Sequence, residues 1–407
     1  MSHLETIGGG VTGPLGFQAA GVEAGIKTTA KMDLALVFSP EPCEAAGVFT
    51  RNKVKAAPLL LDREHLEKAR PRALVINSGN ANACTGEQAL VDARTMARAA
   101  ALELGLETEE VLVASTGVIG VPLPVEKIQR GIKLAAQELS REGGDRAARA
   151  IMTTDLRPKE AAVSFLLEGQ KVTIGAMAKG SGMIHPNLAT MLAFITTDAS
   201  VEKQALEIAL REAVDASFNM LTVDGDTSTN DLVLLLANGA AGNLQLRYNS
   251  PDFTIFQGAL THICTLLAKE IARDGEGATK LLEVRVKNAR SLQDARLAAR
   301  AVAGSSLVKT ALFGEDPNWG RILCAAGYSG ADFNPATVDI FLTSAGGRIQ
   351  TAAAGTGLAF DEAKAALILN EKEITFEIDF RDGEYEAAAW GCDFSYDYVK
   401  INADYRT

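Results

Sequence analysis

Lys179-Gly180-Ser181-Gly182-Met183-Ile184-His185-Pro186-Asn187-Leu188-Ala189-Thr190-Met191-Leu192 is the stretch whose reading decides the fold. Upstream, Ala162 to Leu167 and Val172 to Ala176 read as paired strands, and downstream Met191 to Thr196 reads as a third, rich in apolar and β-branched residues. Gly180, Gly182 and Pro186 break regular structure between them, so Thr190 opens an apolar strand directly after a loop. A threonine hydroxyl is a weak nucleophile unless a base adjoins it. If the chain breaks before Thr190, the new α-amine, with an unperturbed pKa of about 7.7 to 8.0, takes the hydroxyl proton near neutral pH. Threonine is also common in strands, and spacing alone does not separate the two readings. Lys179 is equally open: a solvated loop charge, or a cation for a substrate carboxylate.

Outward from this stretch, short β-like runs alternate with amphipathic helices and no internal repeat appears, which makes the chain mixed α/β. Ala35-Leu36-Val37-Phe38 and Ala73-Leu74-Val75-Ile76 read as strands, the second ending in the turn-forming Asn77-Ser78-Gly79-Asn80. Glu87 to Leu104 reads as a helix closed by Gly105. Val111 to Ala114 is a strand running into Ser115-Thr116-Gly117-Val118-Ile119-Gly120, whose glycines free backbone amides to face an anion or oxyanion. Val125 to Leu139 and Val201 to Val214 are helical. Ser250-Pro251 supplies an N-cap and first-turn proline for a long helix striped with Phe253, Phe256, Leu260, Ile263, Leu267 and Ile271, which stops near Asp274-Gly275. Beyond it, Leu281 to Val286 and Val338 to Leu342 are strands, and Asp382-Gly383 reads as a hairpin turn between Ile374 to Phe380 and Tyr385 to Trp390. A soft boundary near residue 280 divides a larger domain (1–280) from a C-terminal domain (281–407).

Composition narrows the function classes. Of 407 residues, 47% are hydrophobic and 22% charged, enough for a sizeable core. The net charge of -11, with no basic run, disfavours nucleic acid and anionic membrane as partners. The longest aliphatic run, Leu232 to Ala237, reads as a buried strand, far short of the ~18 residues of a membrane span. The start shows no secretory signal, so a cytoplasmic protein is expected. Five scattered cysteines and four dispersed histidines offer neither a disulfide framework nor a metal-binding cluster, and no metal is expected.

No P-loop, strand-preceded G-x-G-x-x-G or G-x-S-x-G elbow occurs. His185, alone in its Gly-rich stretch, reads as structural unless an acid partner reaches it. Asp224-Gly225-Asp226-Thr227-Ser228-Thr229-Asn230-Asp231 lacks calcium-loop spacing and reads either as an oxygen-rich cation site or as a polar turn bonding its own backbone. Asn77 to Gly86 is open in the same way, between a turn and a ligand contact.

Taken together, these segments resemble the ornithine acetyltransferase family of arginine biosynthesis, also called glutamate N-acetyltransferase. The likeness spans nearly the whole chain. It is carried by Asn77 to Gly86, Ser115 to Gly120, Met152-Thr153-Thr154-Asp155, Lys179 to Asp198, Gly225 to Asp231, Asp274 to Lys280, Phe313 to Arg321 and Asn402 to Thr407, with Leu156 and Arg157 less typical of the motif they follow. The resemblance implies an α/β/α-type sandwich like that of N-terminal-nucleophile hydrolases, with different topology, followed by a C-terminal α/β domain. It implies self-cleavage between Ala189 and Thr190 into an α chain (1–189) and a β chain (190–407), with Thr190 as nucleophile and Thr116 and Gly117 as oxyanion hole. Substrate contacts carry over to Thr153, Lys179, Thr190, Glu276, Asn402 and Thr407.

The implied reaction moves the acetyl group of N-acetylornithine to glutamate through an acetyl-Thr190 ester, with no cofactor and with acetyl-CoA as an additional donor in some members. A dimer of cleaved α/β units is implied. A self-cleaving aminopeptidase or amidase, which sends its acyl-enzyme to water, and an uncleaved binding scaffold are the competing readings.

Overall fold

The computed structural model of the chain describes residues 4–185 and 191–404. Leu232–Ala237 shows how its layers arise. All six residues are apolar and buried, and they alternate: Leu232, Leu234 and Leu236 enter one core, Val233, Leu235 and Ala237 another. A strand apolar on both faces must be covered on both. It sits in a six-stranded sheet ordered 5–7, 159–167, 170–179, 192–197, 232–237 and 44–49.

One face of that sheet meets a four-stranded sheet, 18–22, 34–38, 73–80 and 111–118, through Leu74, Ile76, Leu112 and Ala114 against Leu192, Phe194 and Leu232. The outer face of the smaller sheet, with Val75 and Val113, is covered by Met96 and Ile128 of helices Gln88–Leu104 and Val125–Gln137. The outer face of the larger sheet, with Ile195 and Leu235, is covered by helices Lys203–Ala216 and Phe253–Arg273. The expected sandwich thus holds two facing sheets between its helices.

Register then places the ends of the decisive stretch. Gln170–Lys179 pairs antiparallel with Leu192–Thr197, and Lys179 lies opposite Leu192. The connection between them therefore leaves and re-enters the sheet on one rung. The preceding hairpin turns through Glu168 (φ 48) and Gly169 (φ 83), the two positive-φ positions of a tight turn that follows strand twist.

The long helix buries the whole expected stripe from Phe253 to Ile271, but it begins at Phe253, and Ser250 does not cap it. Ser250 Oγ donates to Arg247 O in a preceding turn, and Asp252 spends its carboxylate on Glu168 N. Two further expectations are corrected. Asn77-Ser78-Gly79-Asn80 is not a turn; it continues strand Ala73–Asn80, because its polar groups find protein partners, Asn80 O within the strand and Ala150 O at the end of helix Gly144–Ala150. Asp382-Gly383 does not close a hairpin: Glu373–Asp379 and Tyr385–Cys392 both pair with Leu281–Ala289, which lies between them. That strand belongs to a third sheet, of six strands, built from 281–392, and its core is continuous with helix Phe253–Arg273.

Candidate active site

Both central sheets end at one cavity of about 460 Å³. Thr116 and Gly117 reach it from strand Val111–Val118, Lys179 from Gln170–Lys179, Thr153 from the loop before Lys159–Leu167, Glu276 from the turn after Phe253–Arg273, and Asn402 from helix Tyr396–Asp404. These are six of the residues expected at a site. Ala189, Thr190 and Thr407 lie outside the described residues, while Met191, one peptide bond beyond Thr190 in sequence, lines the cavity.

The smaller sheet contributes a neutral edge. Gly117 has φ +133, and a Cβ there would collide with the Gly79 backbone and stand 2.6 Å from Asn80 N. Only glycine allows the two strands this approach. Behind it, Ser115 Oγ donates to Asn77 Oδ1 at 2.6 Å and Asn77 Nδ2 to Asn80 O at 2.8 Å. Asn230 Nδ2 donates to Ala81 O at 2.6 Å and Ser115 O at 2.8 Å, fastening the 224–231 segment to both strands.

The larger sheet contributes a charged edge. Lys179 Nζ donates to Thr153 Oγ1 at 2.7 Å and Thr116 Oγ1 at 3.4 Å, and stands 4.0 Å from Asp155 Oδ2. Asp155 Oδ1 accepts from Gly180 N and Lys159 Nζ, both at 2.7 Å, and its Oδ2 from Thr153 N at 2.9 Å. Burial by itself would raise the Asp155 carboxyl, but Lys179 and Lys159 hold it well below the usual carboxylate range. Burial draws the Lys179 ammonium below the ordinary lysine value; Lys159 adds to this, while Asp155, Asp231 and Glu276 oppose it. Glu276 lies against Gly182, where any side chain would strike its carboxylate, and its Oε2 accepts from Asn402 Nδ2 at 2.9 Å.

The 224–231 segment bonds its own backbone, Asp226 N to Asp224 Oδ1 at 3.2 Å and Asn230 N to Ser228 Oγ at 3.1 Å, and its residues Thr227 to Asp231 line the cavity. Asp224 also accepts from Met183 N at 2.6 Å and Ile184 N at 2.8 Å, so its carboxylate holds backbone. Among the described residues, no group of three or more His, Cys, Asp or Glu gathers to hold a metal. His185 Nδ1 lies 3.0 Å from Thr222 Oγ1 and Nε2 3.4 Å from Arg300 Nη2, and burial with the Arg300 charge lowers its pKa. No helix among the described residues is long and apolar enough to cross a membrane.

Roles for Lys159 and Asp274 escaped sequence reasoning. Asp155 and Lys159 carry a faint signal, opposite charges four apart, but nothing in the chain marks Asp274 as the second partner of Lys159.

The ArgJ family model matches residues 18–407. The arginine biosynthesis bifunctional protein ArgJ of Symbiobacterium thermophilum is 61% identical over 406 residues, covering 99% of this chain and 100% of its own. That of Caldanaerobacter subterraneus subsp. tengcongensis is 54% identical over 404 residues, with 99% and 100% coverage. A crystal structure of the Bacillus halodurans ArgJ protein is 46% identical, with a TM-score of 0.51, and covers 53% of this chain and 100% of that one. A cavity assembled from the motif residues of both central sheets, and identity sustained from end to end, lead to one conclusion: the chain belongs to the ArgJ family.

Proposed function

We propose that the chain is a glutamate N-acetyltransferase (ornithine acetyltransferase) that cuts itself between Ala189 and Thr190 and then carries the acetyl group of N2-acetylornithine to glutamate on Thr190. The observation that carries this reading is the convergence of Thr116, Gly117, Thr153, Lys179, Glu276 and Asn402 on the cavity that Met191 lines. The freed α-amine of Thr190 takes the hydroxyl proton as Oγ attacks the acetyl carbonyl. Amides at Thr116 and Gly117 receive the developing oxyanion, each such donor commonly contributing about 3 to 4 kcal/mol. Collapse breaks the amide C–N bond, the proton passes to the departing ornithine amine, and glutamate's amine then takes the acetyl group by the reverse sequence. Lys179 supplies a cation for a substrate carboxylate, and Glu276, oriented by Asn402, an anion for an ammonium.

The solved Bacillus halodurans chain is in keeping with cleavage: all of it matches just over half of this sequence, a fraction close to that of segment 190–407. The bifunctional name of the relatives favours acetyl-CoA as a second donor. A cytoplasmic dimer of cleaved α/β units completes the reading.

A denaturing gel of the wild-type protein should show two fragments, and Thr190→Ala one intact chain without transfer. Given N-acetylornithine and no glutamate, the β fragment should gain one acetyl group by mass, and velocities with both substrates varied should give parallel lines. Steady ornithine release without an acceptor would indicate a hydrolase instead. An intact wild-type chain that transfers acetyl would overturn the free-amine mechanism.

A further inference from the structure

Lys159 is fully buried, yet it is not among the residues lining the cavity. Its ammonium bridges two carboxylates, 2.7 Å from Asp155 Oδ1 and 2.6 Å from Asp274 Oδ2. Asp274 also accepts from Leu156 N at 3.1 Å, so the bridge joins the 153–157 loop to the turn that carries Glu276. Asp155 meanwhile has both oxygens engaged, by Lys159, Gly180 N and Thr153 N. Lys179, the cavity's cation, is left 4.0 Å from that carboxylate and held by two hydroxyls.

This arrangement is unusual for a buried lysine beside a buried aspartate. Away from water, attraction at contact distance strengthens steeply, and a direct Lys179–Asp155 pair would have to be opened before a substrate carboxylate could bind. Lys159 holds Asp155 through Oδ1, while Lys179 faces Oδ2, which accepts from Thr153 N; Lys159 thus fixes the carboxylate from its far side, and Asp274 anchors Lys159 there.

We propose that Lys159 is a positioning residue that holds the Asp155 carboxylate off Lys179, so that the Lys179 ammonium stays available to the carboxylate of an amino-acid substrate. The inference rests on the reading of Lys179 as the substrate's cation. Without the Lys159 charge, Asp155 closes on Lys179 and competes with substrate. The defect then lies in binding, and removing the competitor relieves it.

The test uses the full chain after self-cleavage, with N-acetylornithine and glutamate varied separately. Lys159→Met should raise KM by about tenfold while kcat stays within about threefold of wild type. Adding Asp155→Asn to Lys159→Met should return KM to within about threefold. Should Lys159→Met alone not fold, Lys159→Met/Asp274→Asn, which removes one charge of each sign, carries the same expectation. A fall in kcat at unchanged KM, or a KM defect that Asp155→Asn leaves in place, overturns the proposal and makes the bridge purely structural. A wild-type protein without acetyl transfer would sink the enzymatic reading before any variant is made, so the two failures are distinguishable.

Discussion

Strands Ala73–Asn80 and Val111–Val118 bring Thr116 and Gly117 to the cavity with Asn77 and Ser115 behind them, all neutral, whereas Gln170–Lys179 brings Lys179 with Asp155, Lys159 and Asp274 behind it, all charged. The neutral edge is held by short hydrogen bonds, Ser115 to the Asn77 side chain and Asn77 to the Asn80 backbone, and by a glycine that lets two strands touch. The charged edge is held by alternating ions, two of each sign. Fixed dipoles suit a charge that appears only during reaction, while permanent ions suit a charge the substrate already carries. In the proposed reaction the first edge would act on the transition state and the second on binding.

Gly117→Ala strikes the neutral edge hardest. The added methyl would force Ala73–Asn80 and Val111–Val118 apart at a residue with φ +133. A stability loss of about 1 to 3 kcal/mol is expected on thermal unfolding, with kcat down by about a hundredfold or more in whatever folds. A stable and fully active variant would mean that this edge holds no oxyanion.

On the charged edge, Lys179→Met should cost about thirtyfold in kcat/KM, mostly through KM. Its pH signature follows from the lowered ammonium. Substrate binding needs the protonated form, so the Lys179 contribution is present at lower pH and lost on the alkaline side, beyond the titration of the Thr190 amine, through a value below the ordinary lysine pKa of about 10.4. Burial lowers that limb most, Asp155, Lys159, Asp231, Glu276 and Lys27 are charged groups that act on it, and removing the Lys159 charge should move it upward. A limb unaltered by Lys179→Met belongs to another group.

Asn402→Ala removes one hydrogen bond to Glu276 and should lower transfer by about tenfold while leaving the two-fragment pattern on a gel unchanged. Full activity would place the C-terminal helix outside the chemistry. Ser115→Ala should have the smallest effect: Asn77 Oδ1 loses its donor, unfolding shifts by about 1 kcal/mol, and kcat stays within about threefold. A larger loss of kcat than of stability would show that the neutral edge depends on that single bond.

The layers were legible wherever apolar runs were long enough to show their period. Leu232 to Ala237 and the Phe253 to Ile271 stripe announce a two-faced strand and a half-buried helix without reference to the rest of the chain. Asn77 to Asn80 misled for a local reason: asparagine, serine and glycine favour turns when water is the alternative partner. Here Ser115 of the neighbouring strand, the Ala150 carbonyl of a helix and the Val121-Pro122 carbonyls of a loop replace that water. The Asp382-Gly383 turn misled because chain order does not say which strand inserts between two others.

The sequence by itself determined the element types, the cavity residues named through their motifs, and the family. It did so because periodicity and long ordered motifs are properties of neighbours along the chain. Only the tertiary structure decided that two sheets face each other, that Leu281–Ala289 separates its supposed hairpin, and that Lys159 stands between Asp155 and Asp274. The last of these joins groups 115 residues apart within hydrogen-bond reach. A buried charge is tolerated only where an opposite charge arrives from elsewhere in the fold, and no local pattern records where that partner comes from.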